Sequence, residues 1–290
     1  MQVKDPRTSL ADYFDVISGT STGGLMTLML AAPNSSHSHQ PLFTPSEVVQ
    51  FYKKNGPEIF RRQHLITCPK YDGEFLKRKT VELLRETRLN ETLTNVVIPT
   101  FDEKKIQPVI FSNYKALVAV SEVIQNNGEK EILMLSLGTG IPKSKEKLGG
   151  IFDIGCQAAW LPFHIDVISE VAFSTDMTRY YLATIFPGLL PAKNYLRIEE
   201  YNLPPSLQAL DNTDKKNMDN LEKMGKGLLT QKVKRMNVNT FQPFELDHTN
   251  AQALDRLAEK VFAERQLRLK RKSMEKGGRP LVETVQVLSD

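Results

Sequence analysis

Phe14-Asp15-Val16-Ile17-Ser18-Gly19-Thr20-Ser21-Thr22-Gly23-Gly24 runs a short apolar strand into a Gly-x-Ser-x-Gly turn and out again into a helix. Strand, turn and helix in that order make a nucleophile elbow, in which a strained turn pushes the serine hydroxyl clear of the backbone. Ser21 is the candidate nucleophile, framed by Gly19, Thr20, Thr22 and Gly23. Glycines two residues before and after the serine leave no side chain to clash with the tight turn or with an approaching acyl group. The residue after such a nucleophile lends its N–H to the oxyanion, which here is Thr22. Tyr13 to Ile17 is aromatic and β-branched, and Gly24 to Ala32 reads as a buried helix stopped by Pro33. The plainer alternative is a glycine-rich turn without chemistry.

The chain has 290 residues, of which 40% are apolar, enough for one large α/β core. A net charge of +4, without zinc-type cysteine spacing or aromatics interleaved in a basic stripe, gives no sign of nucleic-acid binding. Cys68 and Cys156 are too few for a disulfide framework and fit a reducing compartment. Met1 to Pro6 has no apolar signal region and no apolar run reaches membrane-span length, so a soluble, cytoplasmic protein is expected.

Outward from the elbow, Pro33 to Pro45 reads as a polar surface loop, with His37 and His39 too few for a metal site. Ser46 to Lys54 reads as a short helix capped by Ser46, and Glu74 to Arg88 as a charged helix. Thr94 to Phe101 and Gln107 to Tyr114 read as strands joined by a polar turn, followed by an apolar-faced helix from Ala116 to Gln125. Glu131 to Leu137 is a continuous apolar strand running into Gly138-Thr139-Gly140, as in a central parallel strand, whose carboxyl end marks the active-site edge of an open sheet. Gln157 to Tyr181, Leu210 to Lys234 and Asn250 to Lys272 carry apolar residues at helical spacing, the last capped by Thr249 or Asn250. Between Arg265 and Arg279 lie seven Lys or Arg against Glu275. They read either as a helix end that complements its own dipole or as a patch for peripheral contact with anionic lipid.

These segments resemble plant patatin-like proteins, lipolytic acyl hydrolases. Ala11-Asp12-Tyr13-Phe14-Asp15-Val16-Ile17 with Gly19 to Gly24, then Pro69-Lys70-Tyr71-Asp72-Gly73, Thr92 to Phe101, and Leu135-Ser136-Leu137-Gly138-Thr139-Gly140 follow the family's order. The resemblance implies an α/β fold, a three-layer α/β/α domain with a central, mostly parallel sheet, incomplete in this chain. A single acyl hydrolase domain is expected over 1–275, with a tail at 276–290. The implied activity is hydrolysis of acyl esters in membrane phospholipids and galactolipids through an acyl-enzyme on Ser21, with no cofactor and no metal.

Family members pair the serine with an aspartate in an Asp-Gly-Gly or Asp-Gly-Ala motif, and a glycine-rich loop near the amino terminus binds the oxyanion. Neither motif is found here. The strand before Tyr114 runs through Lys115 directly into the helix that begins at Ala116, where the family has the aspartate segment. Asp72-Gly73 matches a different family segment, and Asp153 lacks the motif. His164 and His248 follow the serine as in the Ser, acid, His order, without a recognisable motif around either. An incomplete gene model or splice product, a non-catalytic storage or lipid-binding paralogue, and an enzyme with a substituted base are the three accounts open to the sequence. Without a base, a serine hydroxyl is a weak nucleophile at neutral pH.

Overall fold

The computed structural model describes residues 8–34, 37–62, 71–102, 107–112, 132–141, 193–237, 240 and 242–277. A 3-10 turn at Leu10–Asp12 leads into β1 (Val16–Ser18), and α1 (Thr22–Ala31) follows the serine turn. β1 lies parallel to β4 (Asn95–Asp102), with Ile17 opposite Val96, and β4 pairs in antiparallel fashion with β5 (Gln107–Ser112). A second parallel pair joins β6 (Met134–Leu137) to β7 (Tyr195–Ile198). The fold is thus mixed α/β with parallel strands, as the sequence implies.

Tyr13 and Phe14 stand outside the strand expected to include them. The ring of Tyr13 is buried against Leu196, Ile198, Val233, Leu257 and Val261 in the larger core cluster. The smaller cluster gathers Met29 of α1 with Val48 and Phe51 of α2 (Pro45–Ile59). The two clusters therefore lie at opposite ends of the segment that carries Ser21.

Several boundaries differ from the sequence reading. Part of the loop after Pro33 is a two-stranded ribbon, β2 (Pro33–Asn34) against β3 (His37–Pro41). Helix α2 begins one residue before Ser46. Its cap is Thr44, whose hydroxyl accepts from the Glu47 N–H while the Glu47 carboxylate accepts from the Thr44 N–H at 2.7 Å. That reciprocal pairing satisfies two backbone donors where a lone Ser46 would satisfy one. α3 (Glu74–Leu84) stops short of Arg88 because Arg85 adopts φ 48°, which breaks the helical path. From the expected Leu210 to Lys234 helix only α4 (Lys215–Gly227) and a 3-10 turn remain. The chain then becomes β8 (Lys232–Met236), antiparallel to β9 (Pro243–Thr249), where Val233 is a buried β-branched residue.

α5 (Asn250–Gly277) is the longest element among the described residues. Thr249 caps it through a reciprocal bond with Gln252, and Asn250 instead donates its side-chain amide to the Leu228 carbonyl at 2.9 Å. α2 and α4 are tied by Lys53, which bridges Asp219 at 2.6 Å and Glu222 at 2.8 Å. The helices expected at 116–125 and 157–181, and the tail from 278, lie outside the described residues.

Candidate active site

The chain leaves β1 where the Gly19 N–H makes a last ladder bond to the Val97 carbonyl at 3.3 Å. Ser21 then takes φ 54° and ψ −126°. A side chain rarely adopts this conformation, which resembles the first central position of a type II′ turn and suits glycine best. Such strain, of about 1–3 kcal/mol, persists only where the surroundings enforce it. Here they do so from both sides. The Thr20 hydroxyl donates to the Pro99 carbonyl at 3.2 Å, and the Tyr52 hydroxyl donates to the Thr22 carbonyl at 3.0 Å. Pro99 belongs to β4, and its carbonyl faces the turn. Its lack of an N–H therefore falls beyond the end of β1, where no ladder bond is lost.

The glycines divide their work differently from the sequence reading. A β-carbon at Gly19 would lie 2.3 Å from the Gly23 carbonyl oxygen, and one at Gly24 would lie 2.9 Å from Ile98 Cγ2. A β-carbon at Gly23 would meet nothing within 4 Å among the described residues. The close approach of α1 to β4 thus rests on Gly24, and Gly23 leaves open space in front of the turn. Signals for Gly24 were present in the Gly23-Gly24 pair. Tyr52, 31 residues after Ser21 in another helix, gave no sequence signal at all.

Ser21 and Thr22 are exposed at the start of α1, and the Ser21 side chain forms no cap bond with the helix. Among the described residues no carboxylate or imidazole bonds to it. His39 is exposed on β3, and His248 is half-buried on β9. The His37 side chain, Asp153, His164, Cys68, Cys156 and the Lys115–Ala116 junction lie outside the described residues. Asp72 is accounted for by local structure, since its carboxylate accepts from the Glu74 N–H at 2.9 Å at the start of α3. No group of three His, Cys, Asp or Glu side chains among the described residues converges as a metal site would require.

A second polar cluster lies at the carboxyl ends of β6 and β7. Glu199 is fully buried and pairs with Arg197, which is 9% exposed, at 2.8 Å. The Arg197 guanidinium also donates to the Ser136 hydroxyl at 2.5 Å, and the Glu199 carboxylate accepts from the Gly140 N–H at 3.2 Å. Burial pushes the nearby Tyr195 phenol above its usual pKa. A β-carbon at Gly138 would lie 2.2 Å from the Glu199 carboxylate, and Gly140 has φ +93°. The glycines after β6 were expected to mark the active-site edge of the sheet. They make room for a carboxylate of the chain itself, an arrangement hidden from sequence reading because its two segments, around Gly138 and Glu199, lie far apart in the chain.

Fold and turn together define an α/β protein that presents a strained, exposed serine between a parallel strand and the helix that follows it. No family model matches the chain. Patatin-like protein 1 of Arabidopsis thaliana is 32% identical over 89% of this chain and 82% of its own length. Patatin-like protein 2 of the same plant is 33% identical over 89% of the chain and 84% of its own length, and patatin-17 of Solanum cardiophyllum is 31% identical over 91% and 83%. The chain belongs to the patatin-like family. Each alignment covers more positions than the chain has residues, 350 against 290 for patatin-like protein 1, so these relatives carry insertions relative to it.

Proposed function

We propose that the protein is a lipid acyl hydrolase of the patatin type, with Ser21 as nucleophile, acting on acyl esters of phospholipids and galactolipids. The observation that carries this reading is the backbone of Ser21, held at φ 54° with an exposed side chain that makes no cap bond at the head of α1. The Ser21 Oγ attacks the acyl carbonyl carbon, the ester C–O bond breaks, and the lipid alcohol leaves with the proton that Ser21 gave up. Water then attacks the acyl-serine, releasing the fatty acid and restoring the hydroxyl. The Thr22 N–H at the amino end of α1 is the donor this reading assigns to the developing oxyanion, whose charge a helix N-terminus favours.

The same reading makes this form of the chain a poor catalyst. The family's aspartate would enter between strand β5 and the segment after Lys115, and the insertions in the relatives are compatible with its omission here. Members of a catalytic pair act as a unit, so losing the base leaves far less than half of the activity. A second reading, a non-catalytic storage or lipid-binding protein, is favoured by the lack of any described acid or imidazole bonded to Ser21. Hydrolysis of a short p-nitrophenyl ester by the purified chain and by Ser21→Ala separates the two. Weak turnover that vanishes in the variant supports the hydrolase. Equal rates sink it. Sequencing the transcript across Lys115 and Ala116 tests the omission directly, and insertion of an Asp-Gly-Gly segment at that junction should raise turnover by orders of magnitude.

A further inference from the structure

Helix α5 runs on beyond the described core residues on which it packs. Leu257 and Val261 bury its inner face, Lys260 donates to the Lys193 carbonyl at 3.0 Å and to Asn194 Oδ1 at 2.7 Å, and Arg265 lies 5.3 Å over the Tyr13 ring. Among the described residues Arg268 is the last that anchors the helix to the core, paired with Asp15 and donating to the Tyr13 carbonyl at 3.0 Å. Two of the basic residues expected to form an exposed patch are therefore spent inside the molecule. Beyond Arg268 the helix continues to Gly277, a further ~14 Å at the helical rise.

Along this free end, Leu267, Lys270, Arg271 and Met274 are all exposed, Met274 at 72%. Their spacing of three, four and seven residues places them in one stripe of the helix surface. No acidic side chain is described between Leu267 and Met274. A helix dipole accounts for cations in the last turn, but not for an apolar pair alternating with them. A symmetric contact with a second copy would set Lys270 and Arg271 against their own like charges. Apolar side chains that reach headgroup depth beside cations that meet phosphate are what an interfacial helix presents.

We infer that the free end of α5 docks the protein on an anionic lipid bilayer through Leu267, Lys270, Arg271 and Met274. The anchor is peripheral and separate from the serine turn: Arg268 meets the chain ahead of β1, whereas Ser21 follows its far end. The stripe shares no residue with the serine turn, so the inference stands apart from the hydrolase reading.

Vesicle flotation of the full chain decides it, since aggregated protein sediments and only bound protein rises. The wild type should float with phosphatidylcholine vesicles containing phosphatidylserine, and not with phosphatidylcholine alone. Raised salt should release it, as expected for charges screened within a Debye length. Lys270→Glu with Arg271→Glu should cut binding at least about tenfold, and Leu267→Ser with Met274→Ser should also weaken it, both without a change in melting temperature. If either variant melts early, the salt titration of the wild type decides. Equal capture by neutral vesicles, salt-insensitive binding, full binding by the charge-reversed variant, no flotation, or a dimer lost on changing Leu267 and Met274 would each overturn it.

Discussion

The Tyr52 hydroxyl donates to the Thr22 carbonyl oxygen at 3.0 Å, so α2 grips the first turn of α1 one residue beyond the strained serine. Burial pushes the Tyr52 phenol up to about 12 from its usual value of 10.0. The neutral phenol is the bound form, so its contribution to stability is complete below the unfolded-state pKa and is lost as pH rises through the folded one. Tyr52→Phe keeps the edge-on packing against Phe51 and should cost about 1 kcal/mol in urea denaturation at neutral pH. It should also flatten the loss of stability between the two pKa values. A variant as stable as the parent, with an unchanged alkaline limb, would show that the grip is idle.

Backbone strain at Ser21 gives a second test, independent of turnover. Glycine accepts φ 54° and ψ −126° without penalty. Ser21→Gly should therefore be about 1 kcal/mol more stable than Ser21→Ala, although both lack the hydroxyl. Arg85, at φ 48° and ψ −124°, is a control away from the turn, and Arg85→Gly should stabilise by a similar amount. Glycine variants no more stable than their counterparts would mean that the strain is relieved in solution.

The three glycines around the turn should rank by what a methyl group meets. Gly19→Ala collides with backbone and should be the worst, and Gly24→Ala presses on Ile98 and should cost about 1–3 kcal/mol. Gly23→Ala should be neutral or stabilising by up to about 1 kcal/mol, because alanine favours the helix. Ile98→Ala should partly rescue Gly24→Ala and leave Gly19→Ala unrescued. Thermal melts of the three single and two double variants suffice, and a Gly23 variant that melts first would refute the ranking.

Removing Glu199 strips the buried Arg197 guanidinium of its carboxylate partner. Glu199→Leu should cost about 3–5 kcal/mol, and Arg197→Met combined with Glu199→Leu should cost less than that single change. Denaturant midpoints for the single and double variants decide. Additive losses would show that the two side chains act independently.

The serine turn was legible because its signal is local: strand, glycines, serine and helix follow one another within the quoted segment. The parallel β1 and β4 strands and the β5 partner were legible for the same reason, as apolar runs bounded by turn residues. What stayed hidden depends on distant partners. The Leu210 to Lys234 segment shows helical spacing, yet pairing with β9 makes its end a strand. The tyrosine at position 52 carried no mark of its grip on Thr22, and Arg265 and Arg268 looked like solvated charges until Tyr13 and Asp15 came to meet them. Ser46 lost the helix start to Thr44 because the Glu47 carboxylate could return the bond.

The contact between Arg268 and Asp15 joins residues 253 positions apart. During synthesis the serine-bearing segment leaves the ribosome well before the side chain that steadies its approach is made. At roughly 5–20 residues per second, that interval is on the order of 13–50 s. Throughout it the ring of Tyr13 has no α5 to cover it. A ribosome that stalls before Arg268 would release a protein with its serine turn written in full and the neighbouring core still open.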